Sequence, residues 1–424
     1  MRILWHGVKS QAKTGYGVQT GLFVPALRDA GHEIAINARM DQYVTGIDEH
    51  GIVNFSSGAK WDNMGNDTVL MHAERYKPDI VLSMCDPFTC EPTVFDKVAW
   101  YPWVMVDSEP LYWANRECLN ACRRPIAPTR NAVDVLQAAG YDPLYVPLVV
   151  DMDTYRTIDR QAARAAMGKV WGVDLSDKFV VVMNAANHSN PSRKNFGAAF
   201  RAFAEFEKMC PNALLYVHTE QLGKMWGGED LRRVQSLYGV QNVVYAPQYE
   251  YVSGIIGDDY LVKMYNAADV LLCTSLGEGF GLPLVEAQAC GCPVIVPDFG
   301  AMAELCVSGS KATGARYMRI EGSEQFLVDP CDVAALLIDA NLQSKAPEAR
   351  QLVSEAIQHY DIRAVMKQHM EPALDAIEQE TRDHSDRSRA DWDASCNQTL
   401  ACGGVSWGSE PRQPESLSGM AAAV

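Results

Sequence analysis

The chain has 424 residues and a mass of 46.8 kDa, too long for one ordinary core, so two or three domains are expected. Its hydrophobic content of 48% and charged content of 21% describe a globular, enzyme-sized chain, and no apolar run approaches the ~20 residues of a membrane span. With 37 Lys+Arg against 53 Asp+Glu, the net charge of −16 opposes non-specific binding to nucleic acid or anionic lipid, without excluding a local basic face.

The first residues, Met1-Arg2-Ile3-Leu4-Trp5-His6-Gly7, read as a buried strand rather than a signal peptide, which would need a longer apolar stretch and a small-residue cleavage site. A cytoplasmic protein is the expectation. Short apolar, β-branched runs then recur: Ile3–Val8, Glu33–Asn37, Asp79–Met84, Val98–Val106, Ile126–Pro128 and Tyr145–Val150. A second set follows at Phe179–Asn184, Ala213–His218, Val243–Ala246, Val270–Thr274, Val294–Pro297 and Gln325–Val328. Continuous apolar runs suit parallel strands covered on both faces. Amphipathic segments lie between them; in 195–209 the residues Phe196, Ala199, Phe200, Phe203 and Phe206 make one stripe.

Strand–helix alternation predicts an α/β architecture of two parallel-sheet units. We expect an N-terminal domain over 1–160 and a second over 172–345, with a polar, Arg- and Ala-rich seam near Met152–Gly172. Helices follow over 346–380, in a pattern interrupted by Pro372 and placed to pack back across the seam. From 381 to 424 the composition shifts to Ser, Asp, Arg, Gly, Pro and Ala, which reads as a disordered tail. The twelve cysteines form no C-x-x-C pair and no Cys/His cluster with zinc spacing. They read as buried, reduced thiols, and no metal site is expected.

The most informative stretch runs Ser275-Leu276-Gly277-Glu278-Gly279-Phe280-Gly281-Leu282-Pro283-Leu284-Val285-Glu286. Three glycines in five residues let the backbone approach a ligand closely, and Pro283 suits the first helical position. Strand, glycine loop and helix aim the N–H groups near Phe280, Gly281 and Leu282 at the carboxyl ends of the strands, a place for a diphosphate. Glu286 is expected in the first helical turn and Glu278 at the start of the loop. Two carboxylates beside an anion site suit sugar or ribose hydroxyls. Read from physics alone, Glu286 could equally be a favourable first-turn acid and Glu278 a solvated loop residue.

Here the pattern resembles a known family. Glu278, seven residues and Glu286, within G-E-G-F-G-L-P-L-V-E-A-Q-A-C-G-x-P-V-I, are similar to the E-x7-E signature of retaining GT-B glycosyltransferases of the group 1, or family 4, type. The flanks Tyr265–Leu272 and Pro297–Leu305 match as well. The resemblance implies that Glu286 binds the nucleotide ribose, that Glu278 contacts the transferred sugar, and that Gly279, Phe280, Gly281 and Leu282 meet phosphate and sugar. It implies two Rossmann-like domains facing a cleft and retention at the anomeric carbon. The donor would be a UDP-, GDP- or ADP-sugar, with no resident cofactor.

Other segments fit the same resemblance. Arg193 and Lys194 follow a strand and open a helix, where the family's basic turn neutralises the leaving diphosphate. The family's Gly-Arg is replaced by Asn187-His188, so Lys194 transfers more directly than Arg193. Gly15 and Gly17, in Lys13-Thr14-Gly15-Tyr16-Gly17, resemble the N-terminal glycine loop facing the donor, although a lone G-x-G is weak evidence. Asp107 stands just past a strand end, where relatives place a residue near the reacting sugar; a turn or cap role is equally open. Catalytic work falls to Glu278, Asp107 and Lys194. The acceptor is a hydroxyl compound: a glycan, small molecule, protein or, less in keeping with the charge, a modified DNA base. A GT-B epimerase, a non-catalytic sugar-nucleotide binder and an NAD-linked Rossmann enzyme are the rivals; the last would need a complete G-x-G-x-x-G.

Overall fold

The computed structural model describes residues 1–40, 44–57, 63–343 and 347–382. Most of the expected tail, 381–424, lies outside the described residues. Residues 1–373 form one compact unit and 374–424 a second, of which 374–382 are described as helix.

The larger unit holds two six-stranded sheets. The first contains β1 (Arg2–Val8), β2 (Glu33–Arg39), β3 (Gly46–Ile47), β4 (Val53–Phe55), β5 (Ile80–Met84) and β6 (Trp100–Pro102), in the order β3-β4-β2-β1-β5-β6. All pairs are parallel except the edge pair β3–β4. Between the sheets in sequence lie β7 (Ile126–Ala127) and β8 (Leu144–Tyr145), a short parallel pair. The second sheet contains β9 (Phe179–Asn184), β10 (Ala213–His218), β11 (Val243–Tyr245), β12 (Val270–Leu272), β13 (Val294–Pro297) and β14 (Gly309–Ala312). Its order, β11-β10-β9-β12-β13-β14, is the doubly wound 3-2-1-4-5-6 pattern. The fold is GT-B: two Rossmann-like parallel sheets with a cleft between them. In each, strand order reverses beside the first strand, and ligands of such sheets bind at that switch point, outside the carboxyl ends.

The apolar runs are largely buried as expected, although Val243–Tyr245, on the edge strand β11, are only half-buried. Trp5, Phe23 and Trp103 pack together in the first half, with ring centroids 5.5–6.2 Å apart. In the second, the helix Phe196–Met209 buries Phe196, Ala199, Phe200, Phe203 and Phe206 completely.

Several expectations need correction. The run Val98–Val106 pairs with β5 only over 100–102; beyond Pro102 the chain leaves the sheet and Trp103 bridges to Ile126 instead. The run Gln325–Val328 is not in a parallel sheet: β16 (Glu324–Val328) pairs antiparallel with β15 (Gly314–Met318). β15 is mostly exposed, and Arg316 interrupts its five residues, so it carries no apolar run to reveal it. The seam contains a helix, Arg160–Trp171, capped by the Asp159 side chain. Arg164 donates to the carbonyl of Ala267, and Trp171 Nε1 donates to the Tyr260 hydroxyl, which ties this helix to the second half.

The C-terminal helices do cross back. Arg350, on the helix Pro347–Ala356, donates to the carbonyls of Ala268, Tyr265, Asn266 and Cys290 in the second half. Ten residues on, Val150 N donates to Tyr360 O and Met152 N to the Asp361 carboxylate. The break falls at 357–361, not at Pro372. Instead of breaking there, the helix widens into a π turn over Met366–Met370 just before the proline, which eases the clash of its ring with the preceding turn.

Candidate active site

The cleft, about 820 Å³ in volume, is walled by both halves. Each wall comes from the turn after a strand, so the sheet topology alone converges these turns. The turns after β1 and β5 supply Gly15, Tyr16 and Asp86; those after β9 and β12 supply His188, Arg193, Lys194 and Glu278–Leu282.

Glu278 is the electrostatic centre. Lys194 Nζ lies 2.5 Å from its Oε1, and Arg193 Nη1 lies 3.0 Å from its Oε2. Its side chain is only 10% exposed. Burial pushes its carboxyl up, but the charges of Arg193 and Lys194 outweigh burial and hold it at about 2. The same pairing raises Arg193. Arg193 also donates to the Gly277 carbonyl, and its Nε stands 3.9 Å from Asp107 Oδ2. The basic turn is held in place from below. Thr274, buried past the end of β12, donates to the carbonyls of Lys194 and Asn195, and Leu276 N donates to Arg193 O. Glu278 is therefore not a solvated loop residue.

The glycine loop has a use that its sequence did not disclose. A Cβ on Gly277 would lie 1.9 Å from the Asp107 carbonyl oxygen, and one on Gly279 would lie 2.5 Å from Met105 Cβ. These glycines let the other half of the protein approach. Gly281, with φ +115°, caps the following helix from a backbone region closed to other residues.

Glu286 differs from expectation. The helix begins at Leu282, with Pro283 second, so Glu286 is its fifth residue and lies beyond the first turn. It does not act as a first-turn acid. Its carboxylate accepts from the Tyr265 hydroxyl at 2.8 Å, and that hydroxyl accepts from Asn184 Nδ2 at 2.7 Å. Burial pushes its carboxyl up to about 7. Among the described residues lining the cleft, Glu286 and Gly17 are absent. Gly17 sits inside the helix Gly15–Asp29, where a Cβ would lie 2.2 Å from the Ala12 carbonyl oxygen. Its N–H is capped by Thr14 Oγ1.

Asn187 and His188 divide their roles. Asn187 is fully buried and donates to the carbonyls of Glu220 and Glu229, as a brace; His188 lines the cleft. The reading of the residues missed Tyr16 and Asp86, which meet at 2.6 Å in the cleft wall, and Arg319, which reaches the cleft from the β15–β16 hairpin. Asp86 had one signal: a carboxylate directly after a buried strand.

One cluster also escaped the spacing argument. His6, Cys85 and Cys90 place their ligand atoms within 4.8 Å of one another, all buried. Its wiring favours a thiolate over a metal. Asn37 Nδ2 faces the Gly65 carbonyl, an obligate acceptor, and its Oδ1 faces His72 Nδ1 and Thr68 Oγ1. Asn37 Nδ2 then donates to His6 Nδ1 at 2.7 Å, which leaves the His6 proton on Nε2, the wrong tautomer for a ligand there. Burial pushes the Cys85 thiol up, but hydrogen bonding from Cys90, the charge of Arg39 and His6 bring it well below its ordinary value.

Two facing Rossmann-like sheets, with a basic turn and a glycine loop carrying Glu278 at the switch point, are the GT-B arrangement. Residues 191–359 match the family model described as Glycosyl transferases group 1. Among curated proteins, the chain is 31% identical over 158 residues to D-inositol 3-phosphate glycosyltransferase of Segniliparus rotundus, covering 37% of this chain and 32% of that protein. It is 29% identical over 176 residues to the protein of that name from Mycobacterium tuberculosis, covering 40% and 33%. The chain thus spans about a third of the length of these relatives. Among solved structures, sucrose-phosphate synthase from Thermosynechococcus elongatus superposes with a TM-score of 0.66 at 15% identity, over 93% of this chain and 100% of that one. A glycosyltransferase from Rickettsia africae gives 0.61 at 14%, over 89% and 98%. No helix among the described residues is long and apolar enough to cross a membrane.

Proposed function

We propose that the protein is a retaining glycosyltransferase that moves a sugar from a nucleotide-diphosphate donor to a hydroxyl acceptor. The observation that carries this reading is Glu278 held between Arg193 and Lys194 at the switch point of two facing sheets. The 172–345 part would take the donor and the 1–160 part the acceptor. An arriving diphosphate brings more negative charge than one carboxylate, so it takes over Arg193 and Lys194 and releases Glu278 toward the sugar hydroxyls. Glu286 would exchange its Tyr265 partner for a ribose hydroxyl.

In the reaction the bond between the anomeric carbon and the diphosphate oxygen breaks, and its electron pair leaves with the nucleoside diphosphate. Arg193, Lys194 and the N–H groups opening the helix at Leu282 stabilise the charge that grows there. The acceptor oxygen bonds to the anomeric carbon from the same face and passes its proton to the departing phosphate oxygen. No metal or resident cofactor enters this scheme. Asp107, 3.9 Å from Arg193, would orient that cation or the acceptor. The test is a screen of UDP-, GDP- and ADP-sugars for binding and slow hydrolysis, followed by Glu278→Gln on the best donor. Binding without any turnover would favour a non-catalytic sugar-nucleotide binder, and conversion of the donor sugar to its epimer a GT-B epimerase.

A further inference from the structure

The two walls of the cleft differ in chemistry. Among the described lining residues the basic side chains His188, Arg193, Lys194 and Arg319 all come from the second half. The first half contributes Tyr16, Asp86, Phe88, Asp107, Tyr112 and Asn115: aromatic rings, carboxylates and an amide, with no basic side chain.

The aromatic part is exposed and fixed. Phe88 is 48% exposed, and Trp113, just outside the cleft wall, 57%. The Phe88 and Tyr112 rings meet edge to face at 6.0 Å, and Tyr112 and Trp113 at 5.7 Å. Phe88 rides on a short turn, Pro87–Thr89, pinned on several sides. Asn115 Oδ1 accepts from Phe88 N, Asn66 Nδ2 donates to Thr89 O, and Arg39 Nη2 donates to Thr89 Oγ1. Exposed rings on a braced turn keep apolar area in water without gaining core packing, the mark of a recognition surface. Because the turn is already ordered, a ligand would lose little to ordering it.

We propose that this wall is an acceptor subsite for a neutral pyranoside, an inference that rests on reading the cleft as a glycosyltransferase centre. A pyranose offers a flat C–H face for the aromatic platform and equatorial hydroxyls for Asp86, Asp107 and Asn115. The Tyr16 hydroxyl donates to Asp86 Oδ1 at 2.6 Å, and a carboxylate can accept more than one such bond. A phosphorylated acceptor would meet the carboxylates of Asp86 and Asp107 on this wall; of the cations near them, Arg193, 3.9 Å from Asp107, is the one the donor diphosphate engages, and Arg39, which acts on Asp86, is buried. The acceptor class therefore differs from the D-inositol 3-phosphate in the names of the curated relatives. A polynucleotide, with its phosphate backbone, fits this wall equally badly.

The test uses the full chain with the best nucleotide-sugar donor. Methyl glucoside, galactoside and mannoside are offered beside D-inositol 3-phosphate and a duplex carrying hydroxymethylcytosine. We expect transfer to at least one neutral methyl pyranoside and no faster transfer to either phosphate-bearing acceptor. Phe88→Ala and the surface variant Trp113→Ala should each raise the acceptor KM about tenfold, while the Kd of the bare nucleoside diphosphate changes less than twofold. Faster transfer to the inositol phosphate or the duplex, or unchanged KM in both variants, overturns the proposal. Donor hydrolysis without transfer to any pyranoside overturns it while leaving the glycosyltransferase reading standing. Failure of the wild-type chain to bind any sugar nucleotide overturns both.

Discussion

The Lys194 ammonium lies 2.5 Å from Oε1 of Glu278, a carboxylate whose other oxygen is held by Arg193. One acid thus pairs with both cations of the basic turn, so in the function proposed above donor binding would be an exchange of anions. Lys194→Ala should weaken nucleoside-diphosphate binding, and the double variant with Arg193→Ala more so, since charged hydrogen bonds of this kind contribute about 1.5–3 kcal/mol each. Glu278→Gln should act in the opposite sense on the bare nucleotide, binding it as tightly as wild type or more tightly, while depressing kcat. Titration calorimetry with UDP, GDP and ADP checks both; unchanged affinity in the double variant would remove the basic turn from the donor site.

The two glutamates should pull stability in opposite directions with pH. Glu278 has its carboxyl lowered to about 2 in the folded chain. Its contribution is complete above the ordinary carboxylate range and is lost as pH falls from there toward 2. Glu286, raised to about 7 by burial, binds its proton more tightly when folded. Stability should therefore fall as pH rises from about 4.5 to 7, by up to about 3 kcal/mol. Denaturant melts of Glu286→Gln across this range should show a flatter profile than wild type. A slope identical to wild type would mean that Glu286 is ionised in the fold.

Gly277→Ala and Gly279→Ala should keep the second half folded and hold the two halves apart. Each would put a methyl into the backbone of 105–107, at 1.9 and 2.5 Å from the nearest atom. The expected outcome is at least a tenfold loss of kcat/KM with nucleotide affinity largely kept, read by turnover beside calorimetry. Loss of nucleotide affinity equal to the loss of turnover would place these glycines against the ligand instead.

Arg350 should be the most costly single residue of the crossing segment. Removing it leaves four carbonyls, of Ala268, Tyr265, Asn266 and Cys290, without their charged donor. Arg350→Ala should destabilise by about 3–5 kcal/mol, in the range of broken buried ionic contacts. Chemical denaturation gives the number, and a loss under 1 kcal/mol would show that the helix Pro347–Ala356 can rearrange.

Turnover should survive excess EDTA, because Arg193, Lys194 and the helix opening at Leu282 occupy the place where a divalent ion would otherwise balance the diphosphate. Loss of activity in chelator, restored by manganese or magnesium, would count against this mechanism.

The parallel sheets were legible because a strand buried on both faces must be a continuous apolar run, as in Phe179–Asn184. The hairpin β15–β16 was illegible because one of its strands is mostly exposed and carries no apolar run. At the site, the sequence placed Glu278, Lys194 and Arg193 near each other through their turns, since each follows a parallel strand. It could not show that they pair with one another, because residues 84 or 85 apart in sequence meet only when β9 and β12 lie side by side. Glu286 was misplaced by one residue, fifth in the helix rather than fourth, because proline suits the second helical position as well as the first. The close approach of residues 105–107 to Gly277 and Gly279 was illegible because a sequence records the need for a bare backbone, not what approaches it.

The hairpin also fastens one half of the protein to the other. Glu109 N donates to Glu324 O at 3.0 Å, Glu324 N donates back to Glu109 O at 2.6 Å, and Arg316 reaches both carboxylates at 2.9 and 3.5 Å. Two residues further along β16, Phe326 N donates to Leu276 O, two positions before Glu278. A clasp built this way joins two tasks in one strand: the strand paired with Glu109 is also the strand that steadies the loop carrying Glu278. Any opening of the cleft that parts Glu109 from Glu324 has to break the hydrogen bonds of these two amides. Their hydrogen exchange, followed with and without nucleoside diphosphate, would count the openings directly.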